Sequence, residues 1–163
     1  MDSKKNDLKR ISPFVKYYIG LSYLFSPSEA RFIMHMINFE YLKQHGYSTN
    51  WSKKDYILRM GLSKNAFNTC VKKFVEMKLL KKWNNDLGNK VFYSFDLQLY
   101  EKLIDILSST NNVPELISFC QSTFKQGRLI EDITEEEVLN LKRTCIISKE
   151  KSFLGFSKDD QEK

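Results

Sequence analysis

The sequence lacks the features that mark membrane, secreted and repeat proteins. No apolar run approaches the about 18 residues that a transmembrane helix needs. The N-terminal residues carry no apolar stretch of the kind found in signal peptides. Neither an internal repeat nor a long low-complexity tract is present. We therefore expect a cytoplasmic protein without a membrane partner, built as one domain of ordinary size or as one domain with an appendage.

Metal-ligating residues are few and poorly spaced. The three cysteines, Cys70, Cys120 and Cys145, form no C-x-x-C pair, and their odd number argues against a disulfide framework. The two histidines, His35 and His45, complete no zinc-ligand spacing. We expect no bound metal and interpret Cys70 and His35 as structural residues.

Catalytic and nucleotide-binding signatures are also missing. The chain contains no G-x-x-x-x-G-K-S/T, G-x-G-x-x-G or H-E-x-x-H motif and no nucleophile elbow. The acidic run Glu135 to Glu137 opens a predicted helix, where negative charge suits the helix dipole. The sequence therefore favours a protein that is not an enzyme and needs no cofactor.

Charge is distributed unevenly along the chain. Residues 1–96 hold 17 Lys and Arg against 8 Asp and Glu, whereas residues 97–163 hold 9 against 12. The net charge of +6 thus consists of a front part at +9 and a back part at −3. This asymmetry suggests a polyanion-binding front and a back with another task. A solvated lysine-rich surface is the alternative that charge alone leaves open.

A long helix is predicted near the start. Ser26 to Glu29 form a capping box with proline at the first helical position, and Gly46 follows the expected end near Gln44. Two apolar stripes on nearly opposite sides predict a helix buried in the middle of the fold. We expect the first stripe to meet the following helix pair and the second to receive the C-terminal helices. The first stripe is Ala30, Ile33, Met34, Ile37 and Tyr41; the second is Phe32, Met36 and Phe39.

A helix pair and a β-hairpin are predicted next. Each helix begins at a serine that can cap it, Ser52 with Asp55 and then Ser63, and Gly61 separates the two. Two strands follow, with a segment rich in turn formers between them. In chain order, the first strand, the turn and the second strand are Lys78–Trp83, Asn84–Asn89 and Lys90–Phe95.

Three amphipathic helices are predicted after the hairpin. Asp96 can cap the first, the second covers about 114–125, and a capping box at Thr134 to Glu137 begins the third, which runs to about Ile147. These helices either complete the core of a monomer or also provide the interface of a homodimer. The predicted fold class is therefore mainly α with a small β-hairpin (α+β).

The second helix of the pair, from Ser63, has one apolar and one polar face. Cys70, Val71 and Phe74 fall within about 60° of Phe67 on a helical wheel. Amide, hydroxyl and amino groups of the opposite face suit the base edges and phosphates of DNA. Glu76 shares that face, but near the far end of the helix. The candidate DNA contacts on this face are Asn65, Asn68, Thr69, Lys72 and Lys73.

Further basic residues surround this face. Residues 50–95 hold ten Lys and Arg against three Asp and Glu, and the helix N-termini at Ser52 and Ser63 can present N–H groups to phosphate. The coincidence of charge with this element order favours DNA as the partner. The remaining candidate contacts are Lys53, Lys54, Ser63, Lys64, Lys81, Lys82, Asn85, Asn89 and Lys90.

The stretch Leu62 to Leu80 resembles the recognition helix and first wing strand of MarR-type and related winged-helix proteins. Its leucine-serine, paired basic and paired leucine steps are Leu62-Ser63, Lys72-Lys73 and Leu79-Leu80. Lys78 stands where glycine is usual, which leaves the exit from the helix open. The resemblance implies that the wing tip, Asn84 to Lys90, touches the DNA backbone or minor groove. It also implies that the major groove is faced by Lys64, Asn65, Asn68, Thr69 and Lys73.

More loosely, Pro13 to Asp96 is similar to the N-terminal domain of phage and plasmid replisome organisers and to replication-initiator winged helices. The features shared are an aromatic segment, Ser-Pro-Ser-Glu-Ala opening a long helix, the helix pair and an aromatic wing. The resemblances imply a sequence-specific double-stranded DNA-binding protein, either a transcription regulator or a replication or mobile-element protein. The predicted division is a flexible basic N-terminus 1–12, a winged-helix domain 13–96, a helical extension 97–148 and a disordered tail 149–163.

The alternative is a winged-helix protein-interaction module that does not bind DNA. Tyr17, Tyr18, Tyr23 and Trp51 offer aromatic groups for such a surface. The basic, amide-rich polar face of the second helix favours DNA over this alternative. If the back half forms a homodimer, two recognition helices would lie about one DNA turn apart, roughly 34 Å, and the site would be palindromic.

Overall fold

The structure, a computed structural model, describes residues 17–144. The predictions for the N-terminus 1–12, for the tail 149–163 and for the end of the last helix near Ile147 lie outside the described residues, as does Cys145. The described chain is mainly helical with one small two-stranded antiparallel hairpin, which confirms the predicted α+β class.

The elements follow in the predicted order. The aromatic segment before the long helix, which the sequence left open between an extended segment and a short helix, contains a one-turn helix, and a short 3₁₀ turn near the end is an addition. The helices are α1 (Leu21–Leu24), α2 (Pro27–Gln44), α3 (Lys53–Met60), α4 (Lys64–Glu76), α5 (Leu97–Leu107), α6 (Val113–Lys125) and α7 (135–144). The strands are β1 (Leu80–Asn84) and β2 (Val91–Phe95), and the 3₁₀ turn is Ile130–Asp132.

Side-chain caps fix where the helices begin. At α2 the Ser26 hydroxyl accepts a hydrogen bond from the Glu29 backbone N–H, and the Glu29 carboxylate accepts one from the Ser26 N–H at 2.9 Å. Ser52 and Asp55 form the same reciprocal pair at α3. Ser63 caps α4 by accepting from the Ala66 N–H at 3.1 Å. Each cap satisfies backbone donors that the first helical turn leaves unpaired.

Left-handed residues end both helices of the pair. Gly61 caps the C-terminal end of α3, and its φ of 62° favours glycine. After α4 the chain reaches φ 60° at Lys78, which is the only residue other than glycine with positive φ in the described part. The predicted first strand began at Lys78, but β1 begins at Leu80 because this left-handed residue still belongs to the helix exit.

The second stripe of α2 does not pack where it was predicted to pack. Phe32 contacts the rings of Phe67 and Phe74 on α4, with centroids 5.6 and 5.4 Å away. Phe39 contacts Trp51 and Tyr56 at α3. The stripe expected to receive the C-terminal helices therefore packs against the helix pair instead. Both stripes are apolar, so the wheel alone did not distinguish their partners.

The hairpin places its apolar side inward and leaves an aromatic pair outside. Strand pairing aligns Leu80 with Phe95 and Trp83 with Phe92. Leu80, Phe95 and Tyr93 are buried, whereas 49% of Trp83 is exposed. Alternation along the strands thus separates an inner face that joins the core from an outer face that faces solvent.

Two side chains of α2 hold the second strand. The Glu40 carboxylate accepts a hydrogen bond from the Phe95 backbone N–H at 2.9 Å and from the Lys43 ammonium at 2.7 Å. Lys43 also donates to the Tyr93 carbonyl at 2.9 Å. These bonds satisfy backbone groups of β2 that its pairing with β1 leaves open.

The C-terminal helices pack within the chain. α6 lies against α1, and α5 lies against the 3₁₀ turn. Arg128 forms a bidentate ion pair with Glu137 at 2.7 and 2.8 Å, which joins the loop after α6 to the start of α7. The buried residues of these helices include Leu103, Ile106, Leu107, Leu116, Cys120 and Leu141.

We expect the variant Lys78→Gly to have a Tm about 2–4 °C above that of Lys78→Ala, because glycine relieves the left-handed strain that any Cβ imposes. Both variants remove the ion pair between Lys78 and Glu131, so the comparison isolates the backbone. Thermal unfolding followed by circular dichroism measures the difference. Equal Tm values for the two variants would contradict a left-handed residue at this position.

We expect a pH-dependent contribution from Glu137. Its hydrogen bonds with Arg128 and the Thr134 cap lower the pKa of its carboxyl to about 2 from the ordinary value of 4.5. A lowered folded-state pKa means that the stabilisation is complete above pH 4.5 and is lost as the pH falls from there toward 2. Unfolding midpoints of the protein and of Glu137→Gln should therefore converge over that interval.

The neighbouring variant Glu136→Gln is the matched control, since it removes the same charge from an exposed residue of the same turn. No ion pair with Glu136 occurs in the part of the chain described. A gap between the protein and Glu137→Gln that stays constant from pH 6 to pH 2 would argue against the Arg128 anchor.

Candidate nucleic-acid interface

The polar face of α4 is open to solvent. Burial of Phe67, Cys70, Val71 and Phe74 turns the opposite side of the helix outward. Its exposed groups include hydroxyl, amide and amino groups and no acid before Glu76. The predicted contact residues that are exposed on this helix and at its cap are Ser63, Lys64, Asn65, Asn68, Thr69 and Lys72.

Lys73 differs from the other predicted contact residues of this helix. Its ammonium lies 2.8 Å from a carboxylate oxygen of Glu29, and it lies 5.2 Å from the centre of the Phe25 ring. The other oxygen of Glu29 accepts from the cap of α2. Lys73 is thus half-buried and neutralised, and it joins α4 to the start of α2. The helical wheel predicted a free positive charge on the polar face, but the Lys73 ammonium is paired with Glu29.

The first helix of the pair contributes three exposed cations, two at its start and one at its end. Lys53 and Lys54 lie in the first turn of α3, beside the cap at Ser52. Arg59 at the other end lies over the indole ring of Trp51, 4.1 Å from its centre. The guanidinium thereby covers part of an aromatic ring that was predicted to be available for a protein partner.

The hairpin carries its lysines in three different settings. Lys81 and Lys82 are both exposed, and strand alternation places them on opposite faces. Lys90 is half-buried, with its ammonium 5.5 Å from the centre of the Phe92 ring. The lysines of the hairpin therefore do not form one continuous basic surface.

The two asparagines at the hairpin turn have different roles. The Asn85 side chain accepts from the Lys90 backbone N–H at 3.0 Å and donates to Asn89 at 2.7 Å. Asn85 is half-buried and builds the turn, whereas Asn89 remains exposed. Of the two contact residues predicted at this turn, only Asn89 has an exposed side chain.

The two cysteines within the described residues, Cys70 and Cys120, are buried free thiols. Burial, followed by the charge of Glu29, raises the pKa of the Cys70 thiol to about 11. Burial raises the pKa of the Cys120 thiol to about 11 as well. Both thiols are protonated at neutral pH and fill apolar space. Within residues 17–144, no three His, Cys, Asp or Glu side chains converge in a way that would hold a metal ion.

Among residues 17–144, no helix has both the length and the apolarity needed to cross a membrane. A cavity of about 490 Å³ lies between α1, the C-terminal end of α4 and the end of α6, with Phe25, Met77 and Phe124 among its lining residues.

Sequence reasoning missed three features of this region. The Lys73–Glu29 pair, the Glu40 contact with β2 and the exposed Trp83–Phe92 pair all depend on residues brought together from different elements or strands. Only the aromatic pair left a sequence signal, as bulky residues in both predicted strands. No family model, curated protein or solved structure matches this chain.

Proposed function

We propose that this protein binds double-stranded DNA sequence-specifically as a winged helix-turn-helix, with α4 as its recognition helix. The observation that carries the proposal is the exposed face of α4. From Ser63 to Lys72 it offers hydroxyl, amide and amino groups and no acid. Such groups recognise base edges in the major groove, where an α-helix fits.

The order of the elements and the turns between them support this proposal. α3, the turn at Gly61, α4 and the hairpin follow one another as in a helix-turn-helix with a wing. Lys78 adopts the left-handed conformation at the position where MarR-type proteins carry glycine. The chain therefore leaves α4 through the left-handed conformation that a glycine at this position would adopt easily.

Charge outside α4 supplies the contacts to phosphate. Lys53, Lys54 and Lys81 are exposed, and the N-termini of α3 and α4 present backbone N–H groups. Lys73 acts differently in this proposal: it positions α4 through Glu29. Transcription regulators share this mode of binding with replication or mobile-element proteins. The proposal covers both classes.

Salt dependence provides the direct test. If about six phosphates are neutralised, the slope of log K against log salt should be near −5. Lys72→Ala should make that slope shallower by about 0.9, because one phosphate contact is lost. Lys73→Ala should leave the slope close to that of the unmodified protein, because Glu29 already neutralises its ammonium. Fluorescence anisotropy with labelled duplex at four salt concentrations measures all three slopes.

Lys72 and Lys73 form a matched pair, since both substitutions remove one positive charge from adjacent positions of the same helix. Equal slope changes for the two variants would show that Lys73 contacts DNA after all. A folded protein that binds no duplex at 50 mM salt would overturn the proposed function. It would leave a protein-interaction module as the alternative.

Base recognition should depend on the two exposed amides. Asn65→Ala or Asn68→Ala should lower the preference for the selected site over random duplex by about 1–3 kcal/mol, because one bidentate base contact is lost. Lys81→Ala should weaken binding to both duplexes by the same factor. Selection from a random library, followed by competition titration, measures the preference. The assignment of α4 fails if amide and lysine variants give the same profile.

A further inference from the structure

The outer face of the hairpin carries two aromatic rings that the core does not use. Trp83 and Phe92 are cross-strand partners, and their rings lie nearly parallel, with centres 5.8 Å apart and planes 17° apart. The inner face already supplies Leu80, Tyr93 and Phe95 to the core. About half of Trp83 remains open to solvent. The pair is therefore a stacked aromatic cluster open to solvent on the Trp83 side rather than part of the buried interior.

Two lysines lie beside this surface. Strand alternation places Lys81 on the same face as Trp83, two residues earlier on β1. Lys90 lies over the Phe92 ring. The remaining member of the face, Ser94, is paired with Lys81. The outer face of the hairpin thus combines an open indole ring with positive charge at both ends.

An aromatic plane between cations fits single-stranded nucleic acid. Bases stack on the ring, and the lysines attract the phosphates on either side. Paired bases inside a duplex are already stacked on one another, so the indole can reach only a base that is unpaired. Because β1 follows α4 after three residues, a duplex held by α4 would bring such a base near the hairpin only where the duplex ends or opens.

We propose that the outer face of the hairpin stacks on an unpaired base, so that the protein binds a junction of duplex and single strand more tightly than a blunt duplex. This inference rests on the proposed function and adds a second ligand class to the same interface. Trp83 is the stacking residue, and Lys81 holds the adjoining phosphate.

The experiment compares the full chain on a blunt 20-base-pair duplex and on the same duplex with a ten-nucleotide thymidine overhang. One stacked base should make the Kd for the overhang duplex lower by roughly 5- to 150-fold. In Trp83→Ala the ratio of the two Kd values should fall to about one. Trp83→Phe, which keeps an aromatic ring, should retain most of the preference. Leu139→Ala changes a similarly exposed apolar residue on α7 and should leave the ratio unchanged.

Tryptophan fluorescence gives an independent readout of the contact. The chain has two tryptophans, and Trp51 is covered by Arg59. Quenching by the overhang duplex that is present in the unmodified protein and absent from Trp83→Phe therefore reports stacking on Trp83. This comparison does not require any change at Trp51.

The outcomes separate the inference from the proposed function. Binding to both DNAs with equal Kd overturns the inference and leaves duplex binding intact. A preference for the overhang that persists in Trp83→Ala also overturns it. Absence of binding to either DNA overturns the proposed function and the inference together. An acidic peptide that binds with the same Kd as the overhang duplex and competes with it would show that the face recognises negative charge rather than bases. This result would also overturn the inference.

Discussion

The contact of Phe32 with two rings of α4 determines what that helix presents to solvent. Phe67 and Phe74 lie on one side of α4, and both pack against Phe32. Phe25 contacts Phe74 as well, at 5.6 Å. Rotating α4 by one residue's angle would expose a phenylalanine and bury an amide without a partner, at a cost of roughly 1–3 kcal/mol for the amide alone. The rotation that turns Asn65 and Asn68 outward is therefore set by the core.

Glu29 places a second constraint on the position of α4. One of its carboxylate oxygens completes the cap of α2, and the other pairs with Lys73. The Glu29 side chain is 15% exposed and the Lys73 side chain 38%, so solvent screens this pair mainly from the lysine side. The aromatic contacts thus fix the rotation of α4, and Glu29 ties its third turn to the start of α2. The cap and the ion pair depend on the same carboxylate.

The sequence predicted most of what depends on neighbouring residues. Capping boxes at Ser26 and Ser52 gave the helix starts, and Asp96 gave the start of α5. Such signals act within three or four residues, so they can be read directly. The partners of each apolar stripe of α2 could not be predicted, because both stripes are hydrophobic and neither carries information about its neighbour. Contacts across many residues, such as Glu40 with Phe95, leave no local pattern.

The candidate site shows the same limit. A helical wheel correctly separated Phe67 and Phe74 from Asn65 and Asn68, since this separation depends only on helix geometry. It also placed Lys73 with the open polar residues, although a residue at the border of two faces is governed by what lies beside the helix. For Lys78, the sequence indicated only that the exit from the helix could differ, because lysine stands where glycine is usual. Lysine has no preference for the left-handed region, and the surrounding fold imposes it.

The bonds from Glu40 and Lys43 to the second strand affect how copies of this protein can meet. An exposed strand edge offers unpaired N–H and C=O groups to which another chain can add a strand. Here the Phe95 N–H and the Tyr93 carbonyl are already occupied by side chains of α2. The hairpin is consequently a poor template for sheet extension and for aggregation along this edge. Strand addition between copies then has the opposite edge of the sheet, along β1, as its available site.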